Sequence, residues 1–314
     1  MQTEKTVKQF VASIPNPIVK IGKQKYLFLL LLPGLVYFLI FKYYPMYGII
    51  IAFKEYDPLL GILHSPWAGL KYFNRLFESP YIWTLIENTL KISFLKILFG
   101  FPAPILFALL LNEIVRAKFK RVLQTISYLP HFLSWVVVAG VSFQVFSPSY
   151  GIYGYIYKLF GWKTGVPLAD SSAFVSILIG TDVWKEMGYG SVIYLAALAT
   201  VGNDMYDAAK IDGAGRFKQC LYITLPSLLP VISMMFILRL GNILDGGFDQ
   251  IFTMYSPAVY GVSDIIDTYV YRIGLENFEY SFSTAVGLCK DVIGALLVVS
   301  ANWLVGKFTE RSIW

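Results

Sequence analysis

Apolar runs about as long as a lipid bilayer is thick recur along this chain, and they constrain its fold more than any other feature. A helix needs about 20 predominantly apolar residues to cross a bilayer. Of the 314 residues, 56% are hydrophobic and only 15% are charged, whereas soluble domains carry about 25% charged residues. The sequence therefore predicts an all-α polytopic membrane protein with six transmembrane helices. The predicted spans are about 26–51, a helix within 82–111, 122–146, 173–201, 227–243 and 284–305.

The basic residues predict how the spans are oriented. Six spans put both termini on one side, with the 112–121 loop and the 203–226 segment. These parts hold 14 lysines and arginines, against 6 in the opposite loops. Because cytoplasmic loops carry the excess of positive charge, we expect both termini in the cytoplasm. The net charge of +6 then reflects membrane topology, not nucleic-acid binding.

The same pattern divides the chain into three parts. We expect a cytoplasmic leader (1–25), a transmembrane domain (26–306) that includes the 203–226 segment, and a cytoplasmic tail (307–314).

Motifs for nucleotide binding, metal binding and catalysis are missing from the sequence. No G-x-x-x-x-G-K-[ST] occurs, so the chain is not expected to bind ATP. Cys220 and Cys289 are far apart and imply no disulfide or metal framework. His64 and His131 have no second ligand at metal spacing, which favours packing or interface roles. We therefore expect a non-enzymatic subunit with no cofactor of its own.

The 203–226 segment is a long polar stretch between two strongly apolar ones. Asp204 is a candidate N-cap, and the residues from Asp207 onward favour a helix. Gly213 can supply the left-handed residue that ends this helix. Pro226 stands where the next apolar run begins, a position that proline tolerates at a helix start. The sequence thus predicts two short helices joined by a turn.

This segment resembles the E-A-A loop of binding-protein-dependent ABC importer permeases. The family pattern is E-A-A, three residues, G, nine residues, I-x-L-P, and the chain matches it in register from Asp207 to Pro226. Asp207 replaces the usual Glu, and Cys220 replaces a usual aromatic residue. The alternative is a loop that merely joins two helices. The resemblance implies the type I ABC importer permease fold, with a cytoplasmic coupling helix that contacts an ATPase through Asp207, Ala208, Ala209, Asp212 and Gly213.

Charged and amide side chains within the spans mark candidate sites, because such groups usually face a cavity or a partner. One reading is a sugar path, in which aromatic faces stack on sugar rings and polar groups bind hydroxyls. The other is that the groups pair with one another (Lys185 with Glu186 or with Asp291) and hold the bundle together. The Lys290–Asp291 pair favours the structural role, and the sequence does not decide between the lumen and the interface for Lys91 and Lys96. The candidate path residues are Trp184, Lys185, Glu186 and Tyr189 in the fourth span, and Asn242, Asp245, Phe248 and Asp249 at the outer end of the fifth.

The whole chain is similar to the maltose-type sugar permeases, and most to the branch that takes up oligosaccharides such as alginate- or pectin-derived fragments. The stretches 31–34, 41–48 and 239–250 carry this likeness. The resemblance implies a bacterial cytoplasmic-membrane complex of this chain, a second homologous permease, two ATPases that bind ATP and Mg²⁺, and an extracytoplasmic solute-binding protein. It also implies an oligosaccharide substrate.

Two other transport classes and one enzyme class compete with this interpretation. An ABC permease could carry another solute, such as a polyol, glycerol phosphate or a peptide. An ion-coupled secondary transporter would use an intramembrane carboxylate such as Glu186 or Asp291, but no inverted repeat is visible. A membrane enzyme acting on lipid-linked sugars would need a set of interfacial carboxylates that the sequence does not supply.

Overall fold

The computed structural model describes residues 25–162, 165–241 and 244–309. Within these residues the protein is helical and has no β-strand. Its β-type pairing is limited to an isolated bridge between Lys54 and Trp67. The main helices are α1 (Tyr26–Phe53), α2 (Lys71–Glu78), α3 (Tyr81–Asn112), α4 (Ala117–Phe132), α5 (Trp135–Val145), α6 (Ile152–Leu159), α7 (Ser171–Leu198), α8 (Asn203–Ile211), α9 (Arg216–Gly241), α10 (Phe248–Met254), α11 (Ile266–Tyr271) and α12 (Tyr280–Thr309).

Four of these helices are long and apolar enough to cross a membrane: α1, α3, α9 and the Tyr280–Ser300 part of α12. Helix α7 has 28 residues, but every 18-residue stretch of it contains Asp182, Lys185 and Glu186. Helix α7 is therefore long enough to cross a membrane, but its charged residues set it apart from the four apolar helices. The chain is thus a multi-pass membrane protein, and the count of six spans remains a prediction.

The predicted third span, 122–146, is not one continuous helix. Helices α4 and α5 meet at an angle of 104°. Ser134 caps the second helix by accepting a hydrogen bond from the backbone N–H of Val137 at 3.4 Å, which gives a new helix its own start after the bend. Pro130 lies in the 3₁₀ turn that ends α4.

Three helices contain a π-helical turn that ends two residues before a proline. These turns are Leu39–Tyr43, Lys96–Gly100 and Cys220–Thr224, and Pro45, Pro102 and Pro226 follow them. A proline inside an α-helix lacks an N–H and clashes with the carbonyl four residues earlier, and a wider π turn relieves both problems. Pro226 therefore lies inside α9, which begins at residue 216 and not near 227 as the sequence predicted.

Three apolar clusters hold the helices together. Ile105, Tyr194 and Leu228 belong to the cluster that joins α3, α7 and α9 at the end of the bundle near α8. At the opposite end, a second cluster joins α3 and α7 to the 248–265 segment. A third cluster joins α2, α3, α11 and α12. The predicted outer segment of residues 244–283 is thus folded against the helices, and residues of α10 and α11 form part of the core.

A buried polar network fixes that segment against α3. The Asp264 carboxylate, fully buried, is paired with the guanidinium of Arg272. It also accepts hydrogen bonds from Tyr81 Oη at 2.6 Å and Thr268 Oγ1 at 2.7 Å. Asn88 of α3 donates to the carbonyl oxygen of Asp264 at 3.1 Å. A buried charge needs such partners to offset its desolvation, so the network specifies where the segment sits.

Two further features position α7. Asp170 caps its first turn, and hydrogen bonds from the backbone N–H and the hydroxyl of Ser172 hold the pKa of Asp170 below its usual value. Farther along, Gly188 lies against the backbone carbonyl of Ser127 in α4, so closely that a Cβ would overlap it. Contact between the two backbones therefore requires glycine at this position.

Candidate functional site

A buried ion cluster joins the three central helices α3, α7 and α9. Lys96 Nζ lies 3.4 Å from Asp182 Oδ1, and Arg239 Nη2 lies 3.9 Å from Asp182 Oδ2. The side chains of Lys96 and Asp182 are 7% and 9% exposed. The sequence left the direction of Lys96 open, and the structure places it inside the bundle. Asp182 and Arg239 were not among the predicted site residues, although both interrupt apolar stretches.

The cluster forms one wall of a small polar cavity of about 160 Å³. Ser93, Ile97, Asp245 and the Gly246–Gly247 turn complete its lining. Gly247 has φ of 86°, and the Lys96 amine occupies the place that a Cβ would take. Within the described residues, the buried hydroxyl of Ser93 has no hydrogen-bond partner. Because four charged side chains line the cavity, it suits a polar guest.

Three more cavities continue from the first one. A cavity of about 310 Å³ shares Asp182 and Arg239 and reaches Glu186. Two others, of about 280 and 570 Å³, share Asp245 and Lys290. Shared charged residues link these four cavities from Glu186 in α7 to Lys290 in α12, and we call the set of four the row.

The predicted path residues are distributed unevenly over this row. Glu186, Asp245 and Phe248 line it. Trp184, Lys185, Tyr189 and Asp249 line none of the four cavities. Asn242 lies outside the described residues.

The side chains of Lys185, Glu186 and Tyr189 instead hold the bend between α4 and α5. Lys185 Nζ donates to the carbonyl of His131 at 2.7 Å and lies 3.3 Å from Glu186 Oε1. His131 Nδ1 lies 2.8 Å from Glu186 Oε2, and its ring stacks on Tyr189 with centroids 4.1 Å apart. Of the two partners weighed for Lys185, Glu186 is the correct one. His131 and Glu186 are 55 positions apart, so no spacing in the sequence could have joined them.

Lys290 also has a partner that the sequence did not indicate. Its Nζ lies 2.6 and 2.7 Å from the two carboxylate oxygens of Asp267 in α11, so its ion pair is not with the neighbouring Asp291.

At the far end of α7, helix α8 forms the predicted helix and turn. Gly213 has φ of 75°, which confirms its left-handed conformation, and the N–H of Ala214 closes the turn on the carbonyl of Ala209 at 2.8 Å. The predicted Asp204 cap is wrong, because the helix begins at Asn203 and Gly202 is its N-cap. Asp207 pairs with Lys210 at 2.9 Å.

Helix α8 is open to a partner. It has no buried residue, and apolar side chains are exposed around it, with Ile211 at 87% and Phe217 at 80%. Ala208 and Asp212 are exposed as well, and Ala209 is partly exposed. Among the described residues, no group of three or more His, Cys, Asp or Glu side chains could hold a metal ion.

Comparison with known proteins identifies the family to which this chain belongs. The family described as "Binding-protein-dependent transport system inner membrane component" matches residues 100–312. The chain belongs to this family. It is therefore a membrane subunit of a transport system that works with a binding protein, and its fold is that of the type I ABC importer permeases, as the sequence predicted.

Individual relatives extend along nearly the whole chain. Protein LplB of Bacillus subtilis (strain 168) is 45% identical over 93% of this chain and 92% of its own length. The polygalacturonan/rhamnogalacturonan transport system permease protein YteP of the same organism is 44% identical, with coverage of 95% and 92%. A solved structure is that of a bacterial alginate ABC transporter in complex with an alginate pentasaccharide-bound periplasmic protein. It matches with a TM-score of 0.86 and 38% identity, covering 94% of this chain and 98% of that chain.

Proposed function

We propose that this chain is one of two permease subunits of an ABC importer for oligosaccharides. The observation that carries this proposal is the row of four cavities, all with charged side chains in their walls, two of which meet at the ion cluster of Lys96, Asp182 and Arg239. Ionisable groups inside a membrane protein generally mark a substrate path. The relatives named for polygalacturonan and alginate support a saccharide as the solute.

The charges of the row favour a hydroxyl-rich solute over a phosphate. The row is lined by three cations and by a larger number of carboxylates, which are Asp182, Glu186, Asp245, Asp267 and Asp291. A phosphate carries two negative charges and needs cations that are not already neutralised. Paired charges still offer both donors and acceptors, which suits sugar hydroxyls. Glycerol phosphate is therefore the weaker candidate.

For coupling, we assign α8 to an ATPase cleft. In this proposal Asp207, Ala208, Ala209, Asp212 and Gly213 form the contact, and two ATPase subunits bind ATP and Mg²⁺ and carry out hydrolysis. The exposed Ile211 and Phe217 support a docking surface at this end. The α8 end then faces the cytoplasm together with both termini, and the second permease completes a heterodimer whose opposite face receives the solute-binding protein.

The proposal is tested by ATPase activity of the reconstituted complex. The complex, in lipid, is mixed with its solute-binding protein and a panel of neutral oligosaccharides, acidic oligosaccharides and glycerol 3-phosphate. We expect stimulation by one class of saccharide and loss of that stimulation in Asp207→Lys. Failure of the chain to co-purify with an ATPase would refute the ABC assignment, and uptake driven by an ion gradient alone would favour a secondary transporter. Stimulation only by glycerol 3-phosphate would refute the saccharide assignment.

Two glycines in the same turn provide a matched comparison. Gly213 has φ of 75°, a conformation that costs other residues about 1–2 kcal/mol. Gly215 has φ of −68°, and a Cβ added there would meet no atom within 4 Å. We expect Gly213→Ala to lower solute-stimulated ATPase activity severalfold, while Gly215→Ala leaves it near wild type. Equal effects of the two variants would argue against a role for the left-handed turn.

A further inference from the structure

The largest cavity of the row lies between α11, the turn that follows it and α12. It has a volume of about 570 Å³, within the range of about 300–1,000 Å³ that small-molecule sites span. The cavity at the ion cluster, at about 160 Å³, falls below that range. The units of a longer oligosaccharide that do not fit into the inner cavities would therefore be accommodated in this cavity.

One wall of this cavity is ionic. The Lys290–Asp267 pair joins α12 to α11, with side chains that are 16% and 22% exposed. Two donors of the Lys290 ammonium are directed at the Asp267 carboxylate, and an ammonium has three donors. Asp245 also lines the cavity, and no described residue donates a hydrogen bond to its carboxylate. Within the described residues, the wall thus offers one ammonium donor and two carboxylate oxygens that take part in no hydrogen bond.

Another wall is aromatic. Phe248 and Tyr271 line the cavity with ring centroids 5.7 Å apart. Phe252 supports both, stacked on Phe248 at 5.3 Å and packed on Tyr271 at 4.6 Å. Tyr280, at the start of α12, closes the lining. Rings held in this way present a rigid apolar face beside the polar groups.

An aromatic face beside paired charges and a free carboxylate has the chemistry of a carbohydrate site. Rings pack on the apolar face of a pyranose, and charged groups exchange hydrogen bonds with its hydroxyls. A lipid tail would leave Asp245 and the Lys290–Asp267 pair unsolvated, which is costly. Asp245 also lines the cavity at the ion cluster, so the two cavities share a wall.

We infer that the cavity bounded by Asp245, Phe248, Asp267, Tyr271 and Lys290 is a second saccharide subsite, which binds the outer units of a longer oligosaccharide. The inference rests on the proposed function, and it adds that this chain selects substrates by length. Short saccharides occupy the cavities around Asp182 only, whereas longer ones also depend on Lys290 and Tyr271.

The test measures uptake against chain length. Proteoliposomes that hold the complete complex are supplied with the solute-binding protein and a homologous series from disaccharide to hexasaccharide. We expect the Lys290→Met/Asp267→Asn double variant, which leaves no unpaired charge, to raise the KM for pentasaccharide and hexasaccharide about tenfold, the scale of one charged hydrogen bond. The KM for the disaccharide should stay within about twofold. Tyr271→Leu provides a second variant that keeps the ion pair and should give the same length dependence.

The controls separate the two proposals. Lys71→Met removes an exposed ion pair outside the row and should change no KM. An equal rise for all lengths, or no rise for any length, in both site variants would overturn the subsite while leaving the sugar importer intact. If the wild-type complex imports no saccharide of any length, the proposed function fails and the subsite fails with it.

Discussion

Removing one partner of the Lys96–Asp182 pair should destabilise the protein far more than removing both. Lys96→Met leaves the Asp182 carboxylate inside the bundle, with Arg239 Nη2 at 3.9 Å as its nearest cation. The Arg239 side chain is 44% exposed, and solvent weakens its attraction to Asp182. Asp182→Asn likewise leaves the Lys96 ammonium buried without its carboxylate.

The geometry sets the magnitude of this effect. At 3.4 Å and an effective dielectric constant of about 20, two unit charges attract each other by about 5 kcal/mol. Because both charges were taken out of water, the pair as a whole contributes much less than this, whereas breaking a buried pair costs about 3–5 kcal/mol. The double variant Lys96→Met/Asp182→Asn should therefore be more stable than either single variant.

A double-mutant cycle measures this coupling. The free energy of unfolding of the purified transporter is followed in mixed micelles during titration with dodecyl sulfate, for the wild type, both single variants and the double variant. We expect a coupling energy of about 2 kcal/mol or more, above the average of about 0.6 kcal/mol for side-chain hydrogen bonds between membrane helices. The exposed pair of Lys71 and Glu55 is the matched control, and Lys71→Met should leave the free energy of unfolding close to that of the wild type.

A coupling energy at or below about 0.6 kcal/mol would refute the reasoning, because the pair would then behave as an ordinary polar contact. The same conclusion would follow if Lys71→Met cost as much as Lys96→Met.

Two further predictions concern α7. Gly188→Ala should sharply reduce the yield of folded protein in detergent, because the new Cβ would overlap the Ser127 carbonyl. Gly180→Ala in the same helix is the control: its Cβ would meet no atom within 4 Å, and the variant should fold normally. Equal yields of the two variants would refute the close packing of α4 on α7. Lys185→Met should lower the free energy of unfolding by about 1–3 kcal/mol, because it leaves the His131 carbonyl without its hydrogen-bond donor. It should also speed proteolysis at the α4–α5 bend. An unchanged cleavage rate would show that Lys185 does not hold the bend.

Features that depend on neighbours in the sequence were predictable. The helix of α8 and the left-handed Gly213 follow from residues within one or two turns of each other, and the structure has both. The errors in this region are also local: the N-cap moved to Gly202, and α9 begins at residue 216. The π turn before Pro226 explains the second error, since it lets a proline that would otherwise mark a helix start lie inside a helix.

The site depends on partners that are distant in the sequence, and this is where prediction from the sequence was weakest. In a helix that is apolar on all sides, hydrophobic periodicity does not show which face a charged residue takes, so Lys96 and Asp182 could not be paired. The break between α4 and α5 had a visible signal, Pro130 followed by Ser134, but the length of the apolar run outweighed it.

A helical membrane protein with a polar helix and turn near residue 213 could be predicted from the sequence, because hydrophobic length and turn chemistry are properties of short stretches of chain. Which charges meet depends on how the helices pack. Asp182 joins Lys96 and Arg239, Glu186 joins His131, and Lys290 joins Asp267. The physical reason is that a charge inside a bundle is stable only beside an opposite charge or a hydrogen-bonding partner, and the packing of the helices determines which partner lies within reach.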